Sequence, residues 1–214
     1  MGRRDELAAA VEQLVAADRA FAGIVAETGI PSLPRARPCR GHYGELVRAI
    51  VFQQLHGKAA ATIHGRFEAL LDGAPTPEGV LGLRLEVLRG AGLSGNKAAS
   101  IRDLSEKVLD GSVELDRMGR LSDDEIVAEL VTVRGIGRWT AEMFLMFELG
   151  RLDVWPVDDF GVRKGYAALH GMTEHPKAKA LGPLGDPYRP HRSVAAWYCW
   201  RAAETVTPGR GTRV

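Results

Sequence analysis

The sequence has only two cysteines, Cys39 and Cys199, among its 214 residues. So few exclude a disulfide scaffold, a four-cysteine zinc site and a four-cysteine iron–sulfur cluster, and they fit a reducing compartment. No apolar run approaches the roughly 20 residues of a membrane span. The charged N-terminal segment lacks the apolar core of a signal peptide. We therefore expect a cytoplasmic protein with no membrane partner.

The chain also has little net charge, because 28 Lys and Arg oppose 27 Asp and Glu to give a formal charge of +1. This balance excludes a generally basic nucleic-acid binder, although it allows a local basic face. Hydrophobic residues at 45% and charged residues at 26% are typical of globular proteins. The length suits one large domain or two small lobes.

Strand signals are scarce. Apolar and polar residues alternate over no more than a few positions, whereas apolar residues recur at helical spacing in several segments. Ser122 and Glu125 have the spacing of a capping box, and Thr76 before Pro77 indicates a helix start. The sequence therefore predicts an all-α chain of about nine or ten short helices.

Two glycines, Gly135 and Gly137, bracket one apolar residue in the segment VRGIGRWTA. Predicted helices lie on both sides, over residues 123–131 and 139–150. The segment can be an ordinary packing turn, or a helix–hairpin–helix whose backbone N–H groups grip a DNA phosphate without reading sequence. The adjacent Arg134 and Arg138 favour the second interpretation.

An acidic pair, Asp158 and Asp159, follows in the segment DVWPVDDFGVRK, and Asp159 lies 22 residues after Gly137. Either aspartate can be a plain N-cap of the next helix, whose dipole keeps a carboxylate ionised. Because there are two, Asp158 can cap the helix while Asp159 faces a substrate.

These segments together resemble the helix–hairpin–helix (HhH-GPD) DNA glycosylase superfamily, and most of all its 3-methyladenine DNA glycosylase II branch. The resemblance covers roughly residues 40–203. It implies an all-α fold of two helical lobes with a cleft between them and no iron–sulfur cluster. Residues 41–150 would form the central lobe, with the hairpin at its end, and residues 1–40 and 151–214 the second lobe. Further matching segments are 49–55 with 58–60, 92–94 with 97–98, and 192–193 with 195–200.

The resemblance implies a monofunctional enzyme that flips alkylated purines out of DNA and excises them by hydrolysis, which initiates base excision repair. Asp159 matches the catalytic aspartate, which would stabilise positive charge on the sugar and orient water. Bifunctional relatives carry a lysine where this chain has Trp139, so we expect an abasic product and no AP lyase activity. No cofactor is expected, apart from a structural Na⁺ or K⁺ at the backbone of residues 133–137.

Three residues match the base pocket. Trp139 and Trp200 match aromatic residues that stack on a cationic base such as 3-methyladenine or 7-methylguanine. Met143 stands where some relatives have an aromatic residue. From the residues alone, Trp200 is a core tryptophan, and Met143 belongs to the core with Phe144, Met146 and Phe147.

The expected partner is damaged double-stranded DNA, bound on the chromosome by a monomer. Leu55 matches the wedge that fills the gap left by a flipped base, although alone it can be a core leucine. Beside it lies His56, where relatives carry a small hydroxyl residue. The residues expected to contact DNA are Gln54, Leu55, His56, Lys58, Lys97, Arg134, Gly135, Gly137 and Arg138.

Two other functions stay open on the sequence alone. The first is a helix–hairpin–helix DNA-binding module without catalysis, which needs the hairpin but neither Asp159 nor an aromatic pocket. The second is a glycosylase for deaminated or oxidised bases. An oxidised guanine is neutral and needs specific hydrogen bonds, whereas the predicted pocket is mainly aromatic and apolar.

Overall fold

The computed structural model describes residues 2–36 and 41–205, and over these ranges it is helical with no strand. The all-α prediction is therefore confirmed. Cys39 and the end of the predicted second lobe lie outside the described residues. No helix in the described part of the chain is long and apolar enough to cross a membrane.

The described ranges contain twelve α-helices and three short 3-10 turns, more than the predicted nine or ten helices. Several helices have only six or seven residues, too few to show a full apolar stripe in the sequence. The α-helices are α1 (Arg3–Ala17), α2 (Ala22–Thr28), α3 (His42–Phe52), α4 (Gly57–Ala69), α5 (Pro77–Gly82), α6 (Leu85–Gly90), α7 (Gly95–Leu109), α8 (Asp123–Leu130), α9 (Arg138–Phe147), α10 (Phe160–Leu169), α11 (Ala178–Leu184) and α12 (Arg192–Thr205).

The chain divides into two compact units, one of residues 36–144 and one of residues 1–35 with 145–214. In the first unit, α7 packs against α3, α5 and α6, and α3 also packs against α4. A buried hydrogen bond of 2.7 Å joins the hydroxyls of Tyr43 and Ser105 across α3 and α7. Burial raises the pKa of Tyr43 to about 12, so this hydroxyl stays protonated.

Local capping chemistry sets several helix starts. The capping box of Ser122 and Glu125 is present at α8, and the Thr76 hydroxyl accepts a hydrogen bond from the Gly79 N–H at α5. Both predictions are confirmed. Helix α9 ends at Phe147, three residues before the predicted end, and the chain then turns through Gly150 at φ +62°. A left-handed glycine is a common way to end a helix.

In the second unit, α10 and α12 pack at very short range. A Cβ atom on Gly165 of α10 would lie 1.7 Å from the carbonyl oxygen of Cys199 on α12. The absent side chain at Gly165 therefore allows the two backbones to approach this closely. These two helices carry Asp159, at the start of α10, and Trp200.

Candidate active site

Asp159 is the N-cap of α10, with its Oδ1 accepting a 2.8 Å hydrogen bond from the backbone N–H of Val162. Of the two alternatives that the sequence left open, Asp159 as the N-cap is confirmed. The alternative that Asp158 caps the helix was wrong, because Asp158 precedes the cap and is exposed. The indole N–H of Trp200 donates a second hydrogen bond, 2.9 Å long, to the same oxygen of Asp159. The carboxylate is thus oriented by two donors and lies at the positive end of a helix.

Trp200 is half-buried, and its ring stacks on Phe147 with centroids 5.9 Å apart and planes 27° from parallel. The interpretation of Trp200 as a simple core residue is therefore wrong, because its N–H bonds the candidate catalytic group. Phe144 and Met146 are buried as expected, but Phe147 is 38% exposed and does not belong to the core. The helical period alone could not show this, because Phe147 lies three and four residues after Phe144 and Met143, at the spacing of the apolar stripe.

Gly161 lies beside this pair. A Cβ atom there would come within 2.8 Å of Trp200 Cδ1 and 3.1 Å of Asp159 Oδ1. Only glycine leaves room for the indole to reach the carboxylate at this point. The sequence shows the segment DFG at residues 159–161, but it does not show why position 161 needs a glycine. That requirement comes from the contact of Gly161 with Trp200 on α12.

The hairpin between α8 and α9 has one glycine that the fold requires. Gly135 has φ +78°, and a Cβ there would meet the Ser100 hydroxyl of α7 at 2.6 Å. Gly137 faces open space instead, and its carbonyl accepts the first hydrogen bond of α9, from Ala141. A ligand could therefore come close to the backbone at Gly137 and the start of α9.

The two hairpin arginines form hydrogen bonds within the unit of residues 36–144. The Arg134 N–H donates to Asp103 at 2.7 Å, and its guanidinium donates to Asn96 at 3.2 Å. Arg138 donates to Glu142 one turn later, at 2.9 Å, although its own side chain is largely exposed. Both arginines can still present N–H donors to a phosphate, since a guanidinium carries five.

A cavity of about 470 Å³ lies beside the hairpin, within the same unit. Trp139 is 46% exposed, and Met143 is half-buried one turn further along α9. The structure thus brings together two of the three predicted pocket residues, while Trp200 belongs to the other unit. The lining residues are Ala49, Phe52, Gln53, Gln54, Gly135, Trp139, Thr140 and Met143.

The loop of residues 53–56, here called the wedge loop, joins α3 to α4. Gln54 is one of two described non-glycine residues with positive φ, at +55°, and Leu55 is 39% exposed. Leu55 is therefore not the core leucine that it could have been. His56 is the exposed N-cap of α4, and Lys58 is exposed in the first turn. Gln53 was not among the predicted site residues, yet its side-chain amide donates to the Gly135 carbonyl at 2.9 Å.

Lys97 differs from the expected phosphate contact. Its ammonium donates to the carbonyls of Val51 and Gln53, each at 2.7 Å, and partial burial lowers its pKa. The prediction that Lys97 reaches out to DNA is therefore not supported by its position. Among the described residues, no group of three or more His, Cys, Asp or Glu side chains is placed to hold a metal ion.

Residues 47–183 match the family model of the HhH-GPD superfamily of base excision DNA repair proteins. The chain therefore belongs to this superfamily, as the sequence indicated. Its similarity is to the 3-methyladenine DNA glycosylase branch. DNA-3-methyladenine glycosylase 1 of Schizosaccharomyces pombe is 38% identical over 165 residues, which cover 76% of this chain and 72% of that protein.

Solved structures of 3-methyladenine DNA glycosylases are also similar to this chain. The S. pombe 3-methyladenine DNA glycosylase in complex with abasic DNA superposes with a TM-score of 0.79 at 35% identity, covering 90% of this chain and 95% of that one. A DNA-3-methyladenine glycosidase from Bacillus halodurans gives a TM-score of 0.83 at 37% identity, covering 92% and 90%. The predicted superfamily, branch and fold class are confirmed.

Proposed function

We propose that this protein is a DNA glycosylase that excises alkylated purines from damaged double-stranded DNA and leaves an abasic site for base excision repair. The observation that carries the proposal is the carboxylate of Asp159, held by Val162 and Trp200 at the start of α10. Membership of the superfamily and the names of the relatives support it. A DNA-binding module without catalysis would need this aspartate only as the N-cap of α10.

In the proposed reaction the base departs with the electrons of the glycosidic bond, and positive charge develops on the sugar. Asp159 stabilises this charge electrostatically, without proton transfer to the leaving base. Water then adds to the sugar carbon and releases a proton, which Asp159 can accept and pass to solvent. A 3-methyladenine or 7-methylguanine base is cationic in DNA and leaves as a neutral molecule, so no cofactor is required.

The cavity beside the hairpin supports recognition of such a base. Its volume of about 470 Å³ is ample for a purine, and the exposed indole of Trp139 offers a face to a cation. Cation–π stacking of this kind contributes about 0.5–2 kcal/mol. Met143 makes the lining more adaptable than a second aromatic ring would. Deaminated purines remain minor substrate candidates on this basis.

Trp139 also supports a monofunctional reaction. An indole at position 139 cannot attack the sugar to form a Schiff base, so the strand stays intact.

A monovalent cation at the hairpin stays a prediction. The carbonyls of Val133, Gly135 and Gly137 each accept one hydrogen bond already, and each oxygen has a second lone pair for such an ion. It would order the turn and add positive charge near a phosphate.

The proposed DNA contacts are sequence-independent. Exposed Leu55 would fill the space of the flipped base, and the open backbone at Gly137 would receive a phosphate. Arg134, Arg138 and Lys58 would add charge contacts. We propose that the protein acts as a monomer on chromosomal DNA.

Methylated duplex DNA tests the proposed function. We expect chromatography to find free 3-methyladenine, and a gel to show strand breaks only after alkali treatment. Borohydride should trap no protein–DNA adduct. If DNA is bound but no methylated base is released, the chain is a binding module or acts on another lesion. Nicks before alkali would contradict the monofunctional reaction.

Replacing Trp200 with phenylalanine should lower base release by a factor of about 10–100. The change keeps a ring to stack on Phe147 but removes the N–H that orients Asp159. A hydrogen bond to a charged group is worth about 1.5–3 kcal/mol, and about 1.4 kcal/mol is a factor of ten in rate. Single-turnover rates at saturating enzyme would measure the loss.

Trp197→Phe is the matched control, because Trp197 lies on the same helix and contacts Tyr198 and Arg201 instead. It should leave the rate within about twofold of wild type. If Trp200→Phe kept the full rate, the indole N–H would have no part in orienting the carboxylate.

A further inference from the structure

We propose that Lys97 is a positioning residue that holds the wedge loop, residues 53–56, in the shape that presents Leu55 to DNA. The proposal deepens the function proposed above and rests on it for the role of Leu55. It differs from the phosphate contact that the sequence suggested for this lysine.

The geometry of the ammonium carries the argument. Lys97 Nζ donates to the carbonyls of Val51 and Gln53, which lie 46 and 44 residues earlier in the chain, at 2.7 Å each. Val51 is in the last turn of α3, and Gln53 is its C-cap. Carbonyls at the end of a helix have no partner within the helix. Lys97 therefore caps α3 at the point where the wedge loop begins.

The position of Lys97 within its own helix means that its charge needs a stabilising partner. It is the third residue of α7, after the N-cap Ser94, so its charge lies at the positive end of that helix. A cation there is disfavoured unless another group stabilises it. The negative end of α3 supplies that stabilisation through the two carbonyls, and the ammonium is partly buried between the helices.

The loop beyond these bonds has a shape that few sequences adopt unaided. Gln54 has φ +55°, a left-handed conformation that costs energy for a residue with a side chain. The Gln53 side chain is tied to the Gly135 carbonyl of the hairpin at 2.9 Å. Lys97 thus fixes the loop backbone, and Gln53 fixes the loop to the hairpin. The result is an exposed Leu55 in a defined place beside the cavity.

Lysine footprinting of the wild-type protein is the first test. A reagent such as formaldehyde with a mild reductant methylates accessible lysines, and mass spectrometry reads each site. We expect Lys97 to react slowly both in free protein and with an abasic duplex bound. Exposed Lys58 should react quickly and be protected by DNA. If Lys97 reacted as fast as Lys58 in free protein and DNA then protected it, Lys97 would be a phosphate contact and our proposal would fail.

A variant pair gives the second test. Lys97→Met keeps an apolar stem but removes the ammonium, and Lys58→Met makes the same charge change on an exposed site. With Lys97→Met we expect faster amide hydrogen exchange confined to residues 51–56. The salt dependence of binding to an abasic duplex should be unchanged, and the single-turnover rate should fall about tenfold or more. With Lys58→Met the salt slope should become shallower by about one.

Each outcome either supports or contradicts the proposed role of Lys97. A shallower salt slope in Lys97→Met, with normal exchange in residues 51–56, would overturn the proposal. If that variant failed to fold, the footprint of the wild-type protein would still decide. Failure of the proposed function is separate: wild-type protein would then release no methylated base, while footprint, exchange and salt slope would still report on Lys97.

Discussion

Replacing Asp159 with asparagine is expected to lower the rate of 3-methyladenine release by a factor of about 10²–10³. The change removes the negative charge that opposes the developing sugar cation. It keeps an oxygen that can accept the N–H groups of Val162 and Trp200, so the geometry of the cap is preserved. Single-turnover release from a duplex with one 3-methyladenine or 7-methylguanine measures the effect.

The stability of this variant should change little, which makes the rate informative. Asparagine and aspartate are equally good N-caps. The lost charge–dipole interaction is worth about 0.3–1 kcal/mol, or a decrease in Tm of about 1–4 °C for a chain of this size. DNA binding should be retained. A circular dichroism melt and a binding titration would confirm both points.

Asp158→Asn is the matched control, because it removes the same charge one residue earlier from an exposed side chain. It should leave the rate within about twofold of wild type. If Asp159→Asn retained more than a tenth of the rate, the carboxylate would not be the main stabiliser. The cationic base would then leave with the help of binding and DNA bending alone. Equal losses in both variants would indicate a general field effect instead.

Features set by neighbouring residues were predictable from the sequence. The capping box of Ser122 and Glu125 and the Thr76 cap depend on groups three residues apart, so their spacing is enough. The glycine hairpin and the acidic pair were found in the same way. The all-α class followed from helical spacing of apolar residues.

Features set by distant contacts were not predictable. Which aspartate caps α10 is decided partly by Trp200, 41 residues further on, and by the space that Gly161 leaves for it. The sequence cannot distinguish Lys97 from a surface lysine, because its two carbonyl partners lie at the end of α3, more than 40 residues earlier in the chain. Phe147 matches the apolar stripe of α9, and only the position of α12 shows that it stacks on a half-buried tryptophan. Resemblance to a family gave candidate residues, but not these partners.

Among glycine-to-alanine replacements in the described residues, Gly165→Ala should lower the stability most. The new Cβ would lie 1.7 Å from the carbonyl oxygen of Cys199 and 2.4 Å from its carbonyl carbon. Both atoms are backbone, so no side-chain rotation can relieve the clash. Helices α10 and α12 would have to separate, and buried side chains such as Val162 and Tyr198 would lose contacts.

We expect a loss of about 3–5 kcal/mol in the free energy of unfolding, at the high end for overpacked sites. For a chain of this length that is a decrease in Tm of about 6–20 °C. Alanine is otherwise the better helix former, by roughly 0.5–1 kcal/mol, so the clash has to overcome a favourable change. Because α10 begins at Asp159 and α12 carries Trp200, any soluble variant should also release base more slowly.

Gly23→Ala provides the opposite case in the same unit. Gly23 lies within α2 and is exposed, and a Cβ atom added there would have no heavy atom within 4 Å. Its replacement should raise the free energy of unfolding by up to about 1 kcal/mol, and Tm by a few degrees. Thermal melts of both variants followed by circular dichroism would test this contrast. If Gly165→Ala melted within about 2 °C of wild type, α10 and α12 would have to tolerate a methyl group between them. The close approach that places Trp200 against Asp159 would then be less strict than the structure implies.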